Sequence, residues 1–136
     1  MPPTTVSGAT SRLTLTGNNV NTATTGLQGI SLDLNGSADS NITINGNNQI
    51  NAGGNAALLV NTNGNLGKIV RINVTGNTFS NNAAGAPTAT INVNQNVTFN
   101  ANVTNNSFNN AAAGRAFDME TTDATSVANL NLDGNT

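Results

Sequence analysis

RINVTGNTFSNN, spanning Arg71 to Asn82, reads as strand, turn, strand. Ile72 and Val74 alternate with Arg71, Asn73 and Thr75, a period of two that sends successive side chains to opposite faces of a strand. Gly76 and Asn77 break the alternation. Both residue types tolerate a left-handed backbone, so the chain turns there and a new strand starts at Phe79.

The same unit recurs on either side. Leu13 and Leu15 precede Gly17-Asn18, Ile42 and Ile44 precede Gly46-Asn47, Ala101 and Val103 precede Asn105-Asn106, and Leu130 and Leu132 precede Gly134-Asn135. The second turn residue falls at Asn18, Asn47, Asn77, Asn106 and Asn135, giving spacings of 29, 30, 29 and 29. A fixed period of this size is the mark of a solenoid. Each unit holds two further alternating runs, such as Ile30, Leu32 and Leu34 or Ala89, Ile91 and Val93, so a coil reads as three short strands. The expected fold is all-β: a single-domain parallel β-helix with three sheets and coils of about 29 residues. Residues 1–12 read as an irregular lead-in, and coils start near 13, 42, 72, 101 and 130. Gln49 stands where other copies place Val20, Phe79 and Phe108, which predicts a bulge that turns Ile50 inward. The extra length of the third coil is expected near Ala86-Pro87.

Stacked coils put each inward residue on its counterpart one coil away. That predicts an aliphatic column of Leu15, Ile44, Val74, Val103 and Leu132, an aromatic pair of Phe79 over Phe108, and an amide ladder of Asn18, Asn47, Asn77, Asn106 and Asn135. In the ladder each amide donates to one neighbour and accepts from the other.

Composition agrees. Only 7% of the 136 residues are charged, against roughly 25% in ordinary chains, and 29 asparagines take their place. Asparagine competes with the backbone for hydrogen bonds in helices but suits turns and strand faces. Net charge is -2, with Arg12, Lys68, Arg71 and Arg115 scattered, so no basic stripe for nucleic acid is expected. The longest apolar run, Ala56 to Val60, predicts no membrane insertion. Residues 1–5 have neither the basic start nor the apolar stretch of a secretory signal, so a signal was removed or the chain is cut from something longer.

The chain resembles the right-handed parallel β-helix, or pectate-lyase-like, superfamily, on the residues Ile72 to Phe79 and Val103 to Phe108, with an Asn at the sharp turn. The resemblance implies a three-sheet solenoid, while the superfamily's functions run from polysaccharide lyases and glycosidases to tailspikes and surface adhesins. Phe79-Ser80-Asn81-Asn82 also resembles the F-x-x-N repeat of bacterial autotransporter passengers.

With no histidine or cysteine, imidazole and thiolate chemistry are excluded. The best polar cluster is Arg115, Asp118 and Glu120, with both acids alternating outward from Phe117 and Met119. Asp33 projects from the corresponding strand three coils away, about 14 Å at 4.8 Å per coil, beyond the reach of paired-carboxylate glycoside hydrolysis. Asp118, Glu120 and Asp123 are the oxygen donors available for calcium, but no Gly-Asp repeat loop accompanies them. No catalytic residue, metal or cofactor is assigned. Asn-x-Ser/Thr sequons at Asn35, Asn41, Asn73, Asn96, Asn102 and Asn105 follow from the abundance of both residue types.

The expected function is a non-enzymatic structural segment of a secreted or surface-displayed bacterial protein: a stalk, adhesin or fibre element. Head-to-tail self-association is expected because no cap is recognisable at either end. A polysaccharide or surface ligand on the Arg115, Asp118 and Glu120 face is the other expected partner. The alternative is a fragment of a carbohydrate-active β-helix enzyme or tailspike. Ranks of outward Thr (Thr14, Thr16, Thr43) suggest an ice-binding solenoid as the least favoured reading, since Asn45, Asn73 and Asn102 interrupt them and Asp133 ends them.

Overall fold

Strands β1 (Thr4–Thr5), β2 (Thr10–Thr16) and β3 (Asn19–Thr22) open a three-way rotation that the chain repeats. It continues through β4 (Ile30–Asn35), β5 (Asp39–Asn45), β6 (Gln49–Ala52), β7 (Leu58–Asn63), β8 (Ile69–Thr75) and β9 (Thr78–Asn81). The last five strands are β10 (Ala89–Val93), β11 (Thr98–Thr104), β12 (Ser107–Asn110), β13 (Phe117–Thr121) and β14 (Val127–Asp133). This is a computed structural model that describes residues 4–5, 10–24, 26–46, 49–63, 67–110 and 114–136. Among them there is no helix.

Every third strand pairs in parallel. β1-β4-β7-β10-β13 form an A sheet, β2-β5-β8-β11-β14 a B sheet and β3-β6-β9-β12 a C sheet, so the chain is a parallel β-solenoid of three sheets. Leu15, Ile44, Val74, Val103 and Leu132 are register partners in succession, as the period requires. Strand ends differ from the sequence reading at the start. Thr4–Thr5 already pair with Leu32 and Asp33, and β2 begins at Thr10, so part of the expected lead-in is strand. The reason is Ser11, a small inward side chain that is 7% exposed and extends the alternation two residues ahead of Leu13.

The β6 expectation is corrected in detail. Ile50 does point inward, 1% exposed, but β6 is a regular strand in which Gln49 pairs with Asn19 and Thr78. The register therefore puts the additional residue of this coil between Gly46 and Gln49. The third coil's extra length does fall around Ala86-Pro87. Ala52 pairs with Asn81 while Leu58 pairs with Ala89, which leaves two more residues in the later connection.

The interior is largely aliphatic, with Phe79 and Phe99 fully buried. Phe79 and Phe108 stack with ring centroids 5.4 Å apart and planes 10° from parallel, and Phe117 meets Phe108 edge-on at 5.8 Å. Offset stacking of this kind adds to the area each ring buries. The residue before each ladder position is left-handed: Gly17, Gly46, Gly76 and Gly134 have φ from 61 to 81°, and Asn105 takes the same place at 56°. Asparagine is the non-glycine residue best suited to that conformation.

Packing this regular leaves little room to collapse around a deletion. Phe79→Ala is expected to cost about 3 to 5 kcal/mol, read as a lower midpoint in chemical denaturation. An unchanged midpoint would place Phe79 outside the core.

Candidate functional site

At the corner between the B and C sheets the chain leaves one ladder before it joins the next, and its peptide groups need other partners. Asn77 and Asn106 supply them and are each 2% exposed. The Asn77 Nδ2 donates to Ile44 O (2.9 Å), Thr75 O (3.1 Å) and Asn106 Oδ1 (2.9 Å), while the Asn77 main-chain N–H also donates to Asn106 Oδ1 (3.0 Å). Asn106 repeats this one coil on, donating to Val74 O, Thr104 O and Asn135 Oδ1. Asn135 Nδ2 donates to Val103 O and Asp133 O. Stacked amides thus bind the corner as expected from Asn77 to Asn135. Asn18 is exposed, with its main-chain oxygen accepting from Gln49 N at 2.9 Å, and Asn47 lies outside the described residues.

A second amide corner, between the C and A sheets, is missed by the sequence reading. Asn81 is 0% exposed; its Nδ2 donates to Asn55 O (2.6 Å) and Pro87 O (2.9 Å), and its Oδ1 accepts from Ala83 N (2.8 Å). Asn110, its register partner, donates to Ala86 O and accepts from Gly114 N. The signal was present as Phe79-x-Asn81 and Phe108-x-Asn110, one residue short of the F-x-x-N frame.

The third corner, from A to B, holds two charges. Lys68 is 3% exposed, and its Nζ donates to the main-chain oxygens of Leu34 and Gly36. Burial in this corner lowers its pKa from the ordinary lysine value. Asp123 gathers donors from its own turn and the coil before it: the hydroxyls and amides of Thr125 and Ser126 and the amides of Gln95 and Asn96. These bonds, the Thr125 hydroxyl first, hold its carboxyl well below the usual carboxylate range. Its oxygens serve the turn backbone.

On the outer face of the A sheet, Arg115 Nη1 lies 3.1 Å from Asp118 Oδ2, an exposed pair three residues apart that contributes little to stability. Glu120 belongs to a different row, with Asp33, Asn61 and Asn92. Along it Asn92 donates to Asn61 Oδ1 (2.8 Å) and Asn61 donates to Asp33 Oδ1 (2.9 Å). Arg115 and Asp118 are therefore brought together, whereas Glu120 stands on the neighbouring row.

The outer face of the B sheet carries the larger feature. A trough of about 580 Å³ runs across β5, β8, β11 and β14. Its floor is the backbone at Ile42, Ile72, Ala101 and Leu130, and its walls are two outward rows. One row holds Asn41, Arg71, Asn100 and Asn129, the other Thr43, Asn73, Asn102 and Asn131. Amides bond along both: Asn102 to Asn73 at 2.8 Å, Asn131 to Asn102 at 2.7 Å, and Asn129 to Asn100 at 3.0 Å. No protein-family model, curated protein or solved structure matches the chain.

Three outcomes test these assignments. Asn106→Ala or Asn81→Ala is expected to cost about 1 to 3 kcal/mol in denaturation, because carbonyls inside the corners lose their donors. Lys68 is the only lysine, and the chain lacks tyrosine and cysteine, so its titration can be read above pH 8. With a folded pKa below the unfolded value of about 10.4, the unfolded chain binds more protons in that interval. Stability should rise with pH up to about 10.4, and Lys68→Met should abolish the rise. Asp123, also lowered, gives a slope of the same sign, but at acid pH. Its contribution is complete above the unfolded value of about 3.9 and fades as pH falls below it, so Asp123→Asn should lower the melting temperature at pH 7 and shrink the drop on acidification.

Proposed function

We propose that the chain is a non-enzymatic structural segment of a secreted or surface-displayed protein, a stalk, adhesin or fibre element whose work is to hold distance stiffly. The observation that carries this reading is the Asn77–Asn106–Asn135 ladder, buried at Asn77 and Asn106, beside the aliphatic and aromatic columns. Bending such a rod requires opening backbone bonds, amide bonds and packing at the same coil junction, and these losses come together. Membership of the pectate-lyase-like superfamily is part of the proposal, supported by the three-sheet architecture and the Asn at the B-to-C corner.

Head-to-tail assembly is the second part. On β14 the side chains that continue the interior columns stand open: Leu130 is 41% and Leu132 50% exposed, and Val127 beside them 51%. A second copy can lay its β2 on this strand in the register the coils already use, with Leu13 over Leu130 and Leu15 over Leu132. The contact joins two different surfaces, so repetition gives an open filament.

Sedimentation and negative-stain electron microscopy test the assembly. Concentration-dependent rods are expected for the intact chain, and Leu132→Lys should leave discrete particles with an unchanged melting temperature, because its side chain is already half exposed. Monomers at every concentration would overturn head-to-tail stacking.

A further inference from the structure

Three asparagines in the chain are followed directly by glycine: Asn35, Asn45 and Asn63. The side-chain carbon Cγ of an asparagine can be attacked by the main-chain nitrogen of the next residue, and a glycine, with no side chain, leaves that nitrogen most open. Asn35 ends β4 and Asn45 ends β5, so the first two occupy like places in their strands. Gly64, after Asn63, lies outside the described residues.

The fold treats these two differently. Asn45 is half-buried between its register partners Thr16 and Thr75 in the B sheet, and its Oδ1 accepts from the Thr16 hydroxyl at 2.6 Å. Bringing its Cγ onto Gly46 N means breaking that bond between two neighbouring strands. Asn35 is exposed, and its side chain makes no hydrogen bond among the described residues. It pairs with Asn63 on one flank, whereas on the other flank β1 is in register only with Leu32 and Asp33. Neither Gly36 N nor Gly46 N has a hydrogen-bond partner among the described residues, so the difference between the sites lies in their asparagines.

We infer that Asn35 is the residue at which the folded chain modifies itself, by deamidation. Gly36 N attacks Asn35 Cγ, the amide C–N bond breaks, ammonia leaves carrying the proton of Gly36 N, and a cyclic imide closes. Water then opens the imide. Addition at Cγ gives aspartate; addition at the main-chain carbonyl gives isoaspartate, whose main chain runs through Cβ and Cγ. The balance is one water gained and one ammonia lost, with no change of oxidation state. The residues on either side of Asn35 supply Leu34 O and Gly36 O, the acceptors of the buried Lys68 Nζ. Aspartate places a carboxylate on the residue between them. Isoaspartate lengthens the main chain between them by one carbon, so the ammonium can no longer hold both. Ageing of the chain is thereby written at the corner that buries its only lysine.

Incubation of the intact chain in mildly alkaline buffer, followed by tandem mass spectrometry of its proteolytic fragments, tests this, because each conversion adds one mass unit at an identified residue. In the folded chain Asn35 should convert about tenfold or more faster than Asn45, since a hydrogen bond between strands must first give way at Asn45. In guanidinium the two should convert at similar rates. Asn35→Gln, whose longer side chain cannot close the same ring, should remove the main signal of the folded chain and leave its melting temperature unchanged, because the position is exposed. Isoaspartate-bearing chain, separated from unreacted chain, should melt at a lower temperature. An Asn45 that converts as fast as Asn35 in the folded chain, or an Asn35 that stays intact while the unfolded chain reacts, would overturn the site.

Discussion

Three times per coil the chain must leave one parallel sheet and enter the next, and at each corner its peptide groups lose their ladder partners. Burying them unpaired would cost about 1 to 3 kcal/mol for each group. Each corner meets the demand with side chains of fixed position: Asn77 and Asn106 from B to C, Asn81 and Asn110 from C to A, Lys68 and Asp123 from A to B. The strands between are aliphatic and interchangeable by comparison. Asn77, Asn81, Asn106, Asn110 and Asn135 answer this need.

Much of this was legible because stacking like on like writes the structure into the sequence as a period. The alternation of Ile72 and Val74, the left-handed residue before each ladder Asn, and the 29-residue spacing together locate the B sheet and its exit corner. The pairing of Phe79 with Phe108 followed from the same register. A periodic reading resolves which residues are equivalent. It is weaker on what an individual side chain does inside its turn.

That weakness explains what was missed. Asn81 sits one place from the frame in which its motif was read, and nothing local distinguishes it from Asn82, which is exposed. Lys68 carries a charge and so reads as surface; its burial depends on carbonyls of Leu34 and Gly36, more than thirty residues earlier. Of the asparagines that interrupt the outward threonines, Asn73 and Asn102 bond to each other and wall the trough, while Asn45 accepts from the Thr16 hydroxyl. Arg115 and Asp118 were found because they are close in sequence, and the separation of Glu120 onto another row becomes visible only with the register.

The amide rows also have a direction. At the buried corner a main-chain N–H of Asn77 points at Asn106 Oδ1, so the amides there must donate from earlier coils toward later ones. Outside the A sheet the Asp33 carboxylate can only accept, which forces Asn61 and Asn92 to donate the other way, and the Asn73, Asn102 and Asn131 row runs in that sense too. Inner and outer dipoles therefore oppose each other. Unlike the peptide dipoles of an α-helix, which all add along its axis, the side-chain amides of this solenoid are split between two opposed senses.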